Sequence, residues 1–305
     1  MTQPTGPKIS IVTPSFNTAD YLEATIQSVL GQDYPNVEYI IIDGGSTDGS
    51  IDIIKKYQHR LAYWISEKDQ GHYDAVNKGF ARATGEVVAW LNSDDLYFPF
   101  TLRTVAGIVH DLPEVQWLTT NNVATWDVTG MLVDVARFVG YSLDAYLDGR
   151  YLVTERAGFG FMQQESMFWR RSLYEKIEGG INNRFRLSAD FDLWGQFFRH
   201  AKLYGVESML GGFRLRVGQR SGNTEDLSQR EKYMLEAGKV LEEHRTAAGW
   251  SANRLRDLAF SLRLREVPKL RVPIRDAVGY VGHRVCKANF MDVNSPWVAS
   301  SYKFI

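Results

Sequence analysis

Over the first 120 residues, short apolar runs alternate with stretches in which apolar residues recur every three or four positions. Ile9-Ser10-Ile11-Val12 predicts a strand, stopped at Thr13-Pro14-Ser15-Phe16-Asn17 because Pro14 cannot donate to a ladder. A helix follows, with Asn17 or Thr18 as its cap, Leu22, Ile26 and Val29 on one face, and Gly31 where a left-handed C-terminal residue is wanted. Val37–Ile42 predicts a second strand, running into Asp43-Gly44-Gly45-Ser46-Thr47-Asp48-Gly49-Ser50 and then a helix through Ile51, Ile54 and Tyr57. Leu61–Ile65 predicts a third strand, with a polar loop to His72 and a helix over about Tyr73–Ala83. Val87-Val88-Ala89-Trp90-Leu91 predicts a fourth strand, which ends in Asn92-Ser93-Asp94-Asp95 before a helix at Phe100–His110. Four strands alternating with four helices predict a parallel, right-handed sheet covered on both faces, extended by Val115–Thr119.

From Asn121 the pattern breaks into short strands and aromatic-rich loops as far as about Arg171, and helical spacing returns at Leu193, Phe197 and Ala201. Leu227–Ala248 predicts an amphipathic helix through Leu227, Met234 and Leu241. Beyond it, Pro268 and Pro273 argue against any long helix. No internal repeat or low-complexity segment is present.

At 305 residues the chain has room for roughly two domains, or one large α/β domain with appendages. The 35 basic and 36 acidic residues nearly cancel, so no global field points to nucleic acid. The local balance differs: Asn253–Lys287 holds nine Lys or Arg against three Asp or Glu, a basic appendage on an otherwise acidic chain. The single Cys286 excludes an intrachain disulfide and any multi-cysteine zinc site, and suits a reducing compartment. The polar start lacks a signal-peptide pattern, and no run approaches about 18 apolar residues, so no membrane span is expected.

Ligands of open parallel sheets bind at the carboxyl ends of the strands. Asp43, Asp69, Asp94 and Asp95 all fall at or just beyond such ends, which places acids from successive loops around one crevice. Adjacent like charges are costly unless a cation holds them. An acidic rim repels a bare phosphate but suits one that arrives with Mg²⁺ or Mn²⁺, which takes carboxylate and phosphate oxygens together. Asp43 has two readings, contact with a base or ribose and capping of its own glycine-rich turn. The glycine run lacks the Gly-x-Gly-x-x-Gly spacing of dinucleotide sites and follows the second strand, and no Gly-Lys-Ser/Thr phosphate loop occurs.

Ile11–Asn17, Ile42–Ser50, Asp69-x-Gly71-x-Tyr73-Asp74-Ala75-x-Asn77-Lys78-Gly79 and Leu91–Asp95 together resemble family 2 glycosyltransferases of the GT-A fold. Gln163-Gln164-Glu165-Ser166-x-Phe168-Trp169-Arg170-Arg171 and Ala189–Trp194 resemble that family's acceptor-side motifs. The likeness covers about Lys8–Lys202. It implies an α/β, Rossmann-like, doubly covered mixed sheet over residues 8–222, divided into a nucleotide-sugar half (8–120) and an acceptor half (121–222), with a helical, basic extension over 223–305.

The resemblance also implies an inverting, hexosyl-type transferase of cell-envelope polysaccharide synthesis that uses a nucleotide-diphosphate sugar, UDP-linked by default. Thr13, Pro14, Asp43, Asp69, Asn77 and Asp94 would bind the donor nucleotide, Asp95 would hold the Mg²⁺ or Mn²⁺, and Asp190 would be the catalytic base. Gln164, Glu165, Trp169 and Asp192 would lie on the acceptor side. Ala189 stands where many members have Glu, which keeps Asp192 as a rival base. Both aspartates could instead cap a helix. Trp169 and Trp194 have core packing as a second reading, and Arg170 and Arg171 either hold a phosphate-bearing acceptor or form a solvated pair.

The expected acceptor is a glycan or lipid-linked hydroxyl. A binding protein that keeps the pocket without turnover is the alternative. A sugar nucleotidyltransferase is disfavoured, because Thr13–Asn17 lacks the basic glycine-rich loop that class needs. The expected location is cytoplasmic, with the basic tail either touching the inner membrane face or forming a solvated extension or dimer contact.

Overall fold

The computed structural model describes residues 6–152, 158–177, 179–216 and 227–305. In chain order the first 120 residues contain β1 (Ile9–Ser15), α1 (Ala19–Leu30), β2 (Val37–Asp43), α2 (Ser50–Tyr57), β3 (Tyr63–Ser66), α3 (His72–Phe80), β4 (Val87–Trp90), β5 (Leu96–Tyr97), α4 (Thr101–Asp111) and β6 (Trp117–Thr120). There follow β7 (Asn122–Trp126), β8 (Leu132–Arg137), α5 (Leu143–Leu147), β9 (Phe168–Arg170), α6 (Arg171–Tyr174), α7 (Ala189–Phe198), β10 (Leu203–Val206) and β11 (Gly211–Arg214). The chain closes with α8 (Leu227–Ala248), α9 (Arg254–Ser261), α10 (Pro268–Val278), β12 (Tyr280–Lys287) and β13 (Trp297–Phe304).

The central sheet runs β13-β12-β10-β6-β9-β4-β1-β2-β3. β1 pairs in parallel with β2 and β4, and β2 with β3, as the alternating pattern predicts. β9 is antiparallel to both β4 and β6, so the sheet is mixed. Successive side chains of each strand go to opposite faces. Ile9, Ile11, Tyr39, Ile41, Val87 and Ala89 enter one core with α1 and α4, while Val12, Ile40, Ile42, Val88 and Trp90 enter the other with α3 and α7. Because both faces are buried, these strands read as continuous apolar runs. A second, four-stranded sheet runs β5-β11-β7-β8 beside the carboxyl end of β4.

Three local expectations are corrected. Thr18 precedes α1 but makes no side-chain cap; Asp48 accepts from Ala19 N–H at 2.8 Å instead, so the second loop serves the first helix. Gly31 has φ −88 and is not left-handed; a side chain there would meet the Gln27 carbonyl at 2.8 Å, which is reason enough for glycine. Nor is the C-terminal extension wholly helical. Pro268 starts α10 and Pro273 lies within it, while β12 and β13 form a hairpin that adds two strands to the central sheet through β10. The boundary expected at 222 lies outside the described residues. Among the described residues no helix is long and apolar enough to cross a membrane.

Candidate active site

The loops leaving β1, β2 and β4 are laced together by short polar side chains. Asn17 N–H donates to Ser46 Oγ at 2.8 Å, and Asn17 Oδ1 accepts from Thr47 N–H at 2.9 Å. Thr18 Oγ1 donates to Ser93 Oγ at 2.9 Å, and Thr25 Oγ1 to the Asp95 carbonyl at 2.9 Å. These bonds fix the Asn92–Asp95 turn against α1 before any ligand arrives. Asp69 from the third loop approaches the second so closely that a Cβ on Gly44 would sit 2.8 Å from one of its oxygens.

Asp95 is 4% exposed; its Oδ1 accepts from Arg214 N–H at 2.9 Å and its Oδ2 from the Asn92 amide at 2.8 Å. Burial, with Asp94 and then Glu165 nearby, holds its carboxyl well above the usual carboxylate range. Asp94 pairs with Arg216 Nε at 2.5 Å, while Arg214 Nε donates to the Asp94 carbonyl at 2.7 Å. The cation that two adjacent acids require is thus supplied, in the free protein, by arginines at the end of β11. Neither was foreseen from the sequence.

Glu165, in the 3₁₀ turn Gln164–Ser166, faces the same charges. Burial, with Asp94 and Asp190 adding to it, pushes its carboxyl up to about 7, and its Oε2 is buried with no hydrogen-bond partner. Asp190 stands in the first turn of α7; its Oδ1 accepts from Phe191 N–H at 2.8 Å and from the Tyr73 hydroxyl at 3.2 Å. Tyr73 therefore joins α3 to Asp190. Glu165 lies within electrostatic reach of both Asp94 and Asp190, so acids from the turn after β4, the 164–166 turn and α7 share one electronegative neighbourhood.

The profile of "Glycosyl transferase family 2" matches residues 10–170, more than half of the chain. The chain belongs to glycosyltransferase family 2. An uncharacterized glycosyltransferase of Nostoc sp. is 34% identical over 186 residues, covering 60% of this chain and 57% of that protein, so less than two thirds of the relative is represented. Among solved structures, TarS 1–349 of S. aureus in complex with UDP-GlcNAc has TM-score 0.52 at 18% identity, covering 88% of this chain and 80% of that one. The mannosyltransferase PcManGT of Pyrobaculum calidifontis, in complex with GDP-Man and Mn²⁺, has TM-score 0.51 at 17% identity, covering 88% and 83%. The mixed sheet is that of the GT-A fold.

Within this family 2 fold, the remaining expected site residues divide by what they touch. Asp43 is fully buried and accepts from Gly45 N–H, Ser46 N–H and the Ser46 and Ser66 hydroxyls at 3.1, 2.9, 2.5 and 2.6 Å, the turn-capping reading. Thr13 and Pro14 are buried, with Thr13 Oγ1 3.0 Å from the Tyr39 hydroxyl. The donor role expected of Asn77 is not what its surroundings show. Its amide donates to the Ile181 carbonyl at 2.8 Å and accepts from Ile181 N–H at 2.9 Å, tying α3 to the loop before α7.

Trp169 and Trp194 follow the packing reading. Trp169 is 1% exposed in an aromatic cluster where Trp90 stacks on Trp194 at 5.8 Å. Gln164 donates to the Trp90 carbonyl at the end of β4. Arg170 and Arg171 pair with Glu86 and Glu175, so they fasten β9 and α6 instead of facing the acids. Asp192, the rival base, is 6% exposed and bound at 2.9 Å to His244 on α8.

The acids suit a divalent cation in chemistry. Asp95, Asp94 and the orphaned oxygens Glu165 Oε2 and Asn92 Oδ1 are hard oxygen donors in a desolvated, electronegative cluster. Among the described residues no group of three His, Cys, Asp or Glu is arranged to hold a metal unaided, so a cation here would complete its shell with ligand oxygens and water.

Proposed function

We propose that this chain transfers a sugar, with inversion, from a nucleoside-diphosphate donor, by default UDP-linked, to a hydroxyl of a glycan or lipid-linked acceptor. The observation that carries this reading is that the Tyr73 hydroxyl of α3 reaches Asp190 while Glu165 feels the charges of both Asp94 and Asp190. The acceptor oxygen attacks the anomeric carbon as the bond to the diphosphate breaks from the opposite face, and the acceptor proton passes to Asp190. A base positioned for that proton is worth about 10²–10⁴-fold in rate. Asp190 stands in the first turn of α7, where the helix dipole favours a carboxylate, and Phe191 N–H and the Tyr73 hydroxyl fix its orientation.

The donor lies across the loops after β1, β2 and β4, with the nucleoside toward Thr13, Pro14, Asp43 and Asp69 and the ribose toward Asp94. Asp43 shapes that pocket by holding Gly45 and Ser46 in place. Asp95, with Asp94, would hold Mg²⁺ or Mn²⁺, which when bound neutralises charge on the departing diphosphate. Arg214 and Arg216 already bring positive charge to the same turn. UDP-GlcNAc in the TarS complex supports a uridine donor, and Mn²⁺ in the PcManGT complex supports a divalent ion.

The test is a panel of UDP- and GDP-sugars with Mn²⁺, followed by release of free nucleoside diphosphate. Release from one donor, lost in Asp190→Asn, supports the reading. Binding without release for every donor and acceptor offered makes the chain a binder and sinks the transferase.

A further inference from the structure

α9 and its C-cap leave an apolar stripe in solvent while an arginine is buried. The residues turned inward are Arg256, Ala259 and Phe260, while Leu255, Leu258 and Leu262, one stripe at helical spacing, are 69, 51 and 57% exposed. This orientation is locked. Arg256 pairs with Asp148 at 3.0 Å and Asp144 at 3.6 Å, donates to the Val278 carbonyl at 2.8 Å, and lies 4.2 Å over the Tyr280 ring. Asp257 is held by Arg150 at 2.8 Å. Rolling the helix to bury its leucines would strip an arginine of these partners inside the protein, at high cost.

The exposed stripe continues past α9. Val267, Leu270 and Val272 are exposed, and α10 buries none of its residues. The same two helices carry Arg254, Lys269 and Arg271, all exposed and in no ion pair among the described residues. Leucines presented outward beside unneutralised cations are the features of a helix that lies in a membrane interface, where apolar side chains enter the acyl boundary and cations meet phosphates.

We infer that α9 and α10 form a docking face for an anionic lipid surface. A second copy of the chain fits less well, because a two-fold contact through this face would bring like cations together. The inference rests on the tail alone and is independent of which donor the acids bind.

Flotation of the intact protein with phosphatidylcholine vesicles, with and without phosphatidylglycerol, tests it. The expected result is binding to the anionic vesicles only, weakened roughly tenfold or more at high salt as screening removes the attraction. Lys269→Glu/Arg271→Glu and, separately, Leu255→Ser/Leu258→Ser/Leu262→Ser each abolish it with melting temperature unchanged, since all these side chains are exposed. Absence of wild-type binding, salt-insensitive binding, or binding kept by both folded variants overturns the proposal. So does a concentration-dependent dimer that the leucine variant dissolves while lipid binding is nil.

Discussion

Glu236 Oε1 accepts a hydrogen bond from the backbone N–H of Ser188 at 2.7 Å, two residues before Asp190. The same carboxylate takes Leu187 N–H at 2.6 Å, Arg186 N–H at 3.1 Å and the Ser188 hydroxyl at 3.0 Å. These bonds pull its carboxyl below the ordinary glutamate value even though burial acts the other way. A side chain of α8, beyond the 10–170 match to the family, therefore clamps the loop that delivers the proposed base.

Glu236→Ala leaves those N–H groups without their acceptor, and the loop before α7 loosens. The expected outcome is a loss of about 1–3 kcal/mol in urea unfolding, together with a fall in kcat and an unchanged donor KM. Glu236→Gln, which keeps one acceptor oxygen, recovers part of both. An unchanged kcat in Glu236→Ala would show that the clamp does not position Asp190.

Glu165 gives the free protein an unusual pH dependence. Its carboxyl, raised from 4.5 to about 7 in the folded state, binds a proton more tightly folded than unfolded. The stability this contributes is complete below the unfolded value and is lost as pH rises through the folded one. Asp95, raised by burial, acts in the same direction. The unfolding free energy from urea titrations in chelator should therefore fall between about pH 5 and pH 8, by on the order of 2–3 kcal/mol from Glu165 alone. Glu165→Gln should flatten much of that fall; an unaltered slope would place the titration elsewhere.

The cation site is tested by ligand-induced stabilisation. UDP at about a hundred times its Kd should stabilise the chain by about 2.7 kcal/mol. Adding Mn²⁺ should raise this further through tighter binding of the nucleotide. Asp95→Ala should remove the Mn²⁺ increment and leave a residual shift from UDP. Persistence of the increment would take Asp95 out of the cation's coordination.

The first 120 residues were legible because their strands are buried on both faces and their acids stand just after them: Ile40, Ile41 and Ile42 followed by Asp43, Val88, Ala89 and Trp90 followed by Asp94 and Asp95. What was not legible depends on partners far away in sequence. Arg214 meets Asp95 across 119 positions and Arg216 meets Asp94 across 122, and no local pattern marks an arginine that will reach an acid pair. Asn77 sits in a motif that signals the family, yet its amide serves Ile181, 104 positions on. β12 and β13 escaped notice because Gly282, His283 and Arg284 interrupt their apolar pattern in an edge hairpin. A favourable signal did exist for Asp192: it recurs four residues before Gln196, whose amide reaches back to it at 2.9 Å, as a helix-face polar pair would.

Asp190 and Asp192 share the first turn of α7, and the structure separates them by their neighbours. Arg199 Nη2 lies 2.8 Å from His244 Nδ1, and a guanidinium can only donate, so that nitrogen accepts and Nε2 carries the proton toward Asp192. With Gln196 on its other oxygen, Asp192 is committed to joining α7 to α8. Asp190 instead accepts from Phe191 N–H and from the Tyr73 hydroxyl of α3, which orient it without tying α7 to α8. Asp190→Asn should then lower kcat by about 10²–10⁴-fold while leaving UDP affinity and melting temperature nearly unchanged. Asp192→Asn should do the reverse, keeping most of the turnover and losing about 1–3 kcal/mol of stability, because a neutral amide with one oxygen replaces a carboxylate that accepts from both His244 and Gln196. The pair of variants is measured under one set of conditions, by nucleoside diphosphate release and by urea unfolding. Activity that survives in Asp190→Asn and disappears in a folded Asp192→Asn would reverse the assignment and make Asp192 the base.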